Sequence, residues 1–214
     1  MKQKTTQDNS SRSDEQLAVH AQNGSIHSFE ELVYRYEKRI FGFISCRVSS
    51  VDDAQDLTQD TFLKTYINIK KYKKKYSFST WLFTIARREV ISFYRKNSKK
   101  KIESISGDFF NTENPHSLLT FDDAQSQLWE TLNKQLPEAQ FSALYLHSVE
   151  QMNITEIAHT LKKTKANIKI LLHRVRKKIT QELANGNEQI NSIYFAAKNA
   201  MQAREIDFSP TTQK

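Results

Sequence analysis

MNITEIAHTLKKTKANIKILLHRVRKKI, residues 152–179, reads as a short helix, a turn and a longer helix. Asn153 followed three residues later by Glu156 has the form of a capping box, and Ile154, Ile157, Ala158 and Leu161 line one face of the first helix. Thr164 stands where a cap for the second helix belongs. Beyond it Ile168, Leu172, Val175 and Ile179 repeat at steps of three and four, which leaves Lys165, Lys169, His173, Arg174 and Lys177 to other faces. A helix whose outward side chains are long hydrogen-bond donors can lie in the major groove, reading base edges and gripping phosphates. The plainer alternative is a basic surface helix in an αα-hairpin, and the two caps favour the DNA-binding helix-turn-helix.

Outward from this motif, the composition favours helix throughout. The chain has 214 residues and only 4 Gly and 3 Pro, too few for a sheet protein rich in tight turns. With 38% hydrophobic residues it is sized for one ordinary domain or two small ones. The expected class is therefore all-α, with two small helical domains joined by a flexible linker. The single Cys46 excludes an intramolecular disulfide and a cysteine zinc site, and reads as a small hydrophobe in a reducing compartment. No apolar run approaches the roughly 20 residues of a membrane span, and the N-terminus lacks a signal-peptide core, so a cytoplasmic protein is expected.

The formal charge of +8 is unevenly spread. Residues 64–101 hold thirteen Lys and Arg against Glu89 alone, and residues 161–178 hold eight with no acid. Between them, residues 102–160 set Lys134 against nine acids. Two basic blocks separated by an acidic one suggest two contacts on a polyanion, because neutralising phosphates releases counterions.

Helical periodicity covers 14–23 and 28–47, the latter through Phe29, Leu32, Val33, Tyr36, Ile40 and Ile44, with Gly24 as the stop between them. Further helices are expected over 52–69 and 79–97, the last capped by Ser79 or Thr80. Residues 1–100 thus form a first domain. A linker follows over 101–122, where Gly107, Pro115 and clustered Ser, Asn and Asp interrupt the pattern and Phe109 and Phe110 are free to dock. The helix-turn-helix domain spans 123–185, and a tail over 186–214 contains the helical pattern INSIYFAAKNAMQAREI.

Residues 71–96, KYKKKYSFSTWLFTIARREVISFYRK, interleave aromatics with one of the most basic parts of the chain. Aromatic faces stack on unpaired bases while lysines follow the backbone, so Tyr72, Tyr76, Phe78 and Trp81 beside Lys70, Lys71, Lys73, Lys74 and Lys75 suggest a surface that holds strands apart. Against this, Trp81, Leu82, Ile85, Ile91 and Phe93 are also spaced as core residues. For any single aromatic, periodicity favours the core.

The order FEELVYRYEKRIFGFI, DAQDLTQDTFLKTY, FSTWLFTIARREVISFYRK and LPEAQFSALYLH, followed by the helix-turn-helix ending LLHRVRKKI, resembles bacterial RNA polymerase sigma factors of the extracytoplasmic-function group. The resemblance spans both domains. It implies that Asp56, Gln59 and Asp60, which share a helical face with Asp53, meet basic clamp helices of the polymerase largest subunit. It further implies that 70–81 is a promoter-melting element and 80–96 a −10 reader, with Lys71, Tyr72, Lys75, Tyr76, Trp81, Arg87 and Arg88 on the DNA. For the −35 element it implies Lys165, Asn167, Lys169, His173, Arg174 and Lys177. Two departures bear on specificity. Ala86-Arg87-Arg88 stands where an asparagine is frequent, with Ser92 at a frequent Asp, and Ile170 and Leu171 replace a common serine and arginine. These apolar residues either contact thymine methyls or pack inward.

The partners implied are core RNA polymerase, promoter DNA and an anti-sigma factor, with no small-molecule substrate. The competing reading is a helix-turn-helix regulator whose first domain senses a ligand or dimerises, a role that does not require the 64–101 basic block. Catalysis is not expected. The sequence holds no phosphate-binding glycine loop and no HExxH motif, Glu156 and His159 lack a second such pair, and the acids around Asp56 are joined by no other carboxylate cluster that would hold a metal. No cofactor is called for.

Overall fold

The computed structural model describes residues 11–103, 129 and 131–184. All regular structure among them is helical. The chain divides into two compact units, Met1–Pro115 and His116–Lys214, a division that falls within the linker expected from sequence. Of the expected linker, residues 101–103 are still helical, continuing the helix that begins at Phe78, while the rest, Phe109 and Phe110 included, and the tail lie outside the described residues.

In the first unit α1 (Asp14–Gln22), α2 (Ile26–Ser45), α3 (Val51–Asn68) and α4 (Phe78–Glu103) pack in sequence, each against the next where the chain folds back. Small polar residues start each helix by accepting otherwise orphaned N–H groups. Ser13 and Gln16 form a reciprocal capping box on α1, Ser25 accepts from Ser28 N on α2, and Ser50 accepts from Asp53 N on α3. For α4 the cap is Ser77, whose Oγ accepts from Thr80 N at 3.4 Å, rather than Ser79 or Thr80. The helix therefore begins one residue early, because Phe78 is wholly buried and draws its backbone into the first turn. Gly24, at φ +95°, makes the left-handed turn that separates α1 from α2.

The core of this unit is Leu17, Leu32, Ile40, Phe43, Ile44, Leu82 and Phe83, all essentially inaccessible. Phe43 and Phe83 meet edge to face at 5.5 Å. Of the residues that the spacing marks as apolar in α4, Leu82 and Ile85 are inside, while Ile91 is 39% exposed. The buried face continues instead through Ala86 and Val90, and Glu89 is buried beside them in an ion pair with Lys64 of α3. Cys46 is buried, and desolvation pushes its thiol up to about 12, which makes it an inert packing residue.

In the second unit a helical stretch over 131–135 precedes α5 (Glu138–Ser148), α6 (Ile154–Leu161) and α7 (Lys165–Ala184). Trp129 meets Tyr145 at 5.0 Å and Phe141 at 5.7 Å in an aromatic core, and the Lys178 ammonium donates to Gln135 O at 2.7 Å. Each of the three helices packs on the other two.

Candidate nucleic-acid and polymerase interface

The helix-turn-helix is built from local signals. Asn153 accepts from Thr155 N and Glu156 N, and the Glu156 carboxylate accepts from Asn153 N at 3.0 Å, completing the capping box. The turn is made by Lys162 in the left-handed region at φ 52°, where its N–H reaches His159 O and Lys163 N reaches Ala158 O. Thr164 Oγ1 then accepts from Asn167 N at 3.2 Å and starts α7.

On α7, Ile168 and Val175 are fully buried, as the spacing indicates, with Leu172 and Ile179 half-buried. The structure separates the two unusual apolar residues. Leu171 is 9% exposed and packs inward at the step of three from Ile168, whereas Ile170 is 50% exposed. Lys165, Asn167, Lys169, His173, Arg174 and Lys177 are all exposed. Asn167 and Ile170 share a helical face with His173 and Arg174, so the outer surface near the helix N-terminus is an isoleucine set among donors.

In the first unit Asp56, Gln59 and Asp60 are exposed on α3, with Asp53 half-buried at its start. Leu63, Tyr66 and Ile67 are also exposed, at 57%, 47% and 68%. Asp56, Asp60, Leu63 and Ile67 follow one another at steps of four, three and four, so a single face passes from acidic to apolar along the helix. Sequence reasoning missed this apolar end. Its signal was present: the three residues continue the stripe already marked by the aspartates, and the buried face of α3 is supplied by Ala54, Leu57, Thr58, Thr61, Phe62 and Thr65.

The lysine-rich segment between α3 and α4 begins in a 3₁₀ turn, Ile69–Lys71. Lys70, Lys71, Lys73, Lys74 and Lys75 are exposed, and Lys75 Nζ lies 5.7 Å from the centre of the half-buried Tyr76 ring. The expectation that Tyr72 and Phe78 present stacking faces is corrected: Tyr72 is 4% and Phe78 0% exposed. Their rings join a cluster in which Tyr36 meets Phe78 at 5.5 Å, Tyr72 meets Phe78 at 5.7 Å and Tyr72 meets Trp81 at 5.4 Å. Burying that aromatic area outweighs leaving it in water, and the cluster roots the loop that carries the lysines. Burial, with Glu15 and Asp14 nearby, pushes the Tyr72 hydroxyl up to about 12, and it donates to Tyr76 O at 3.0 Å. Tyr76 and Trp81 are half-buried and keep part of their surface outside. Arg87 is half-buried and Arg88 exposed on α4, with the exposed Tyr94 donating to Arg47 O.

Residues 28–100 match the model for sigma-70 region 2, and residues 126–179 match that for sigma-70 region 4. RNA polymerase sigma factor YlaC of Bacillus subtilis is 26% identical over 170 residues, spanning 76% of this chain and 95% of the relative. The ECF RNA polymerase sigma factor SigM of the same organism is 28% identical over 155 residues, 71% of this chain and 93% of SigM. Among solved structures, CnrH in complex with the cytosolic domain of CnrY shares the fold at a TM-score of 0.62 and 19% identity, covering 81% of this chain and 98% of that one. The sigma factor RpoE in complex with the anti-sigma factor NepR from Bartonella quintana shares it at 0.62 and 20% identity, covering 79% and 98%.

Proposed function

Because the chain belongs to the sigma-70 family of RNA polymerase sigma factors, in its extracytoplasmic-function group, we propose that its two units divide promoter recognition between them. As an alternative sigma factor it acts in the cytoplasm, where it joins core polymerase and directs initiation at its own promoters. The observation that supports this division is that each unit exposes its own cationic surface, the lysine loop leading into α4 in the first and the outer side of α7 in the second, while the acidic-to-apolar stripe on α3 is left for the polymerase.

The stripe docks on the polymerase. Asp56, Gln59 and Asp60 steer the encounter and set its register, and Leu63, Tyr66 and Ile67 supply apolar area that water leaves on contact. The lysine loop and the exposed parts of Tyr76, Trp81, Arg87 and Arg88 engage the −10 region, with phosphate clamps beside aromatic surface. Binding energy that favours separated strands shifts the duplex toward the open form. In the second unit α7 enters the major groove at the −35 element, where Lys165, Asn167, Lys169, His173, Arg174 and Lys177 share base and phosphate contacts. RpoE is bound by an anti-sigma factor in its solved complex, and a partner of the same kind would hold this chain inactive by covering its polymerase face.

The test is in vitro transcription, with the purified protein added to sigma-free core polymerase on fragmented genomic DNA and the 5′ ends mapped. New start sites that share two upstream elements are expected. Transcript-free reactions from a protein that still binds DNA would overturn the assignment in favour of a regulator.

A further inference from the structure

Helix α1 lies upstream of the residues matched by region 2, which begin at 28, yet it holds both ends of the lysine loop. The Gln22 side-chain amide donates to Ile69 O at 2.9 Å and to Tyr72 O at 2.8 Å, spending both of its N–H groups on carbonyls three residues apart. At the far end the Glu15 carboxylate accepts from Phe78 N at 3.2 Å, placing a negative charge on the first turn of α4. Between these points the Tyr72 hydroxyl ties the loop to itself at Tyr76 O.

The support for these bonds is itself anchored. Asp14 accepts from Arg35 Nη1 at 2.8 Å and from the Tyr36 hydroxyl at 2.5 Å, and Leu17, Ala18 and Ala21 are buried against the body of the unit. Helix α1 is thus a buttress rooted in α2 whose polar edge grips the base of the loop.

We propose that Gln22, seconded by Glu15, is a positioning residue for strand separation, holding the lysine loop in one shape before DNA arrives. Five exposed lysines within six residues repel one another and carry large side-chain entropy, so an unanchored loop would spread over many conformations. Ordering it on the DNA would then subtract from the binding that favours open strands. Gln22 removes that cost in advance by fixing the two carbonyls from which the loop departs. The inference rests on the reading of this loop as the melting element.

The experiment uses the full chain assembled with core polymerase and compares open-complex formation on a duplex promoter with that on the same promoter carrying a mismatched, pre-opened −10 region. Gln22→Met keeps the length of the side chain and removes both donors. It is expected to slow opening of the duplex by about 5- to 30-fold, from the loss of two hydrogen bonds, and to stay within about twofold of the wild type on the pre-opened template. Amide exchange should accelerate over residues 69–77 and nowhere else. Gln22→Asn, one methylene shorter, should slow opening less. Wild-type opening by Gln22→Met, or equal losses on both templates, would overturn the proposal. A parallel variant with Lys73, Lys74 and Lys75 changed to alanine separates the two levels: if it opens duplex normally, the melting role of the loop falls as well, whereas slow opening by it beside normal opening by Gln22→Met removes the clamp alone.

Discussion

Ile170 stands exposed on the outer face of α7, and the proposed groove contact gives it a measurable task. Replacing it with alanine removes three carbons. At about 0.8 kcal/mol per buried methylene, full transfer of these carbons from water would be worth about 2.4 kcal/mol. Half of the residue's surface is already covered, at 50% exposure, so docking can remove water from the remaining half only, worth about 1.2 kcal/mol or about eightfold in affinity. The surface best suited to receive it is a thymine methyl, since the neighbouring Asn167, His173 and Arg174 satisfy polar base edges. The assay measures holoenzyme affinity for a promoter selected from a library randomised at −35, with each thymine replaced in turn by uracil, which lacks the methyl. At one position uracil should weaken wild-type binding by close to the same factor as Ile170→Ala, and the two changes together should cost little more than either alone. If uracil equals thymine at every position, or the two losses simply add, Ile170 does not read a methyl group.

Three further outcomes follow from the same surfaces. Reversing Asp56 and Asp60 to lysine should abolish binding to core polymerase in a pull-down while helical content by circular dichroism is retained, since both side chains are exposed and cap nothing; retained binding would defeat the docking assignment. Changing Lys169 and Arg174 to alanine should reduce the slope of log affinity against log salt by about 2 for the −35 duplex, at roughly 0.9 per phosphate contact, and an unchanged slope would argue against groove insertion. Tyr72 ionises at about 12 in the folded chain against an ordinary value of 10, so the neutral form is favoured by folding. Its contribution to stability is complete below pH 10 and lost as the pH rises toward 12; a phenolate absorbance titration in which every tyrosine ionises near 10 would contradict its burial.

Much of the architecture was legible because its causes are local. Asn153 with Glu156, Thr164 and Gly24 mark helix ends through bonds to residues three positions away, and each does so in the structure. The division of charge into two basic blocks is likewise a property of the chain alone. What failed did so where two helical faces compete for the same apolar residues. Spacing assigned Leu172 and Ile179 to the core of α7, and the structure leaves both half-buried while Leu171 is 9% exposed. Interleaving with lysines made Tyr72 and Phe78 candidates for stacking although periodicity favoured the core for any single aromatic; the presence of Tyr36, 36 and 42 positions earlier, decides for burial.

By itself, then, the sequence determined that the chain is helical, that it carries a capped helix-turn-helix, and that its cations gather in two places, because propensity, capping and charge act over a few residues. Only the tertiary structure decided which aromatics root the lysine loop, that Ile170 points out while Leu171 points in, and that Gln22 reaches Ile69 and Tyr72. Those outcomes depend on partners distant in the chain, and no periodicity within a helix records which neighbour will cover it.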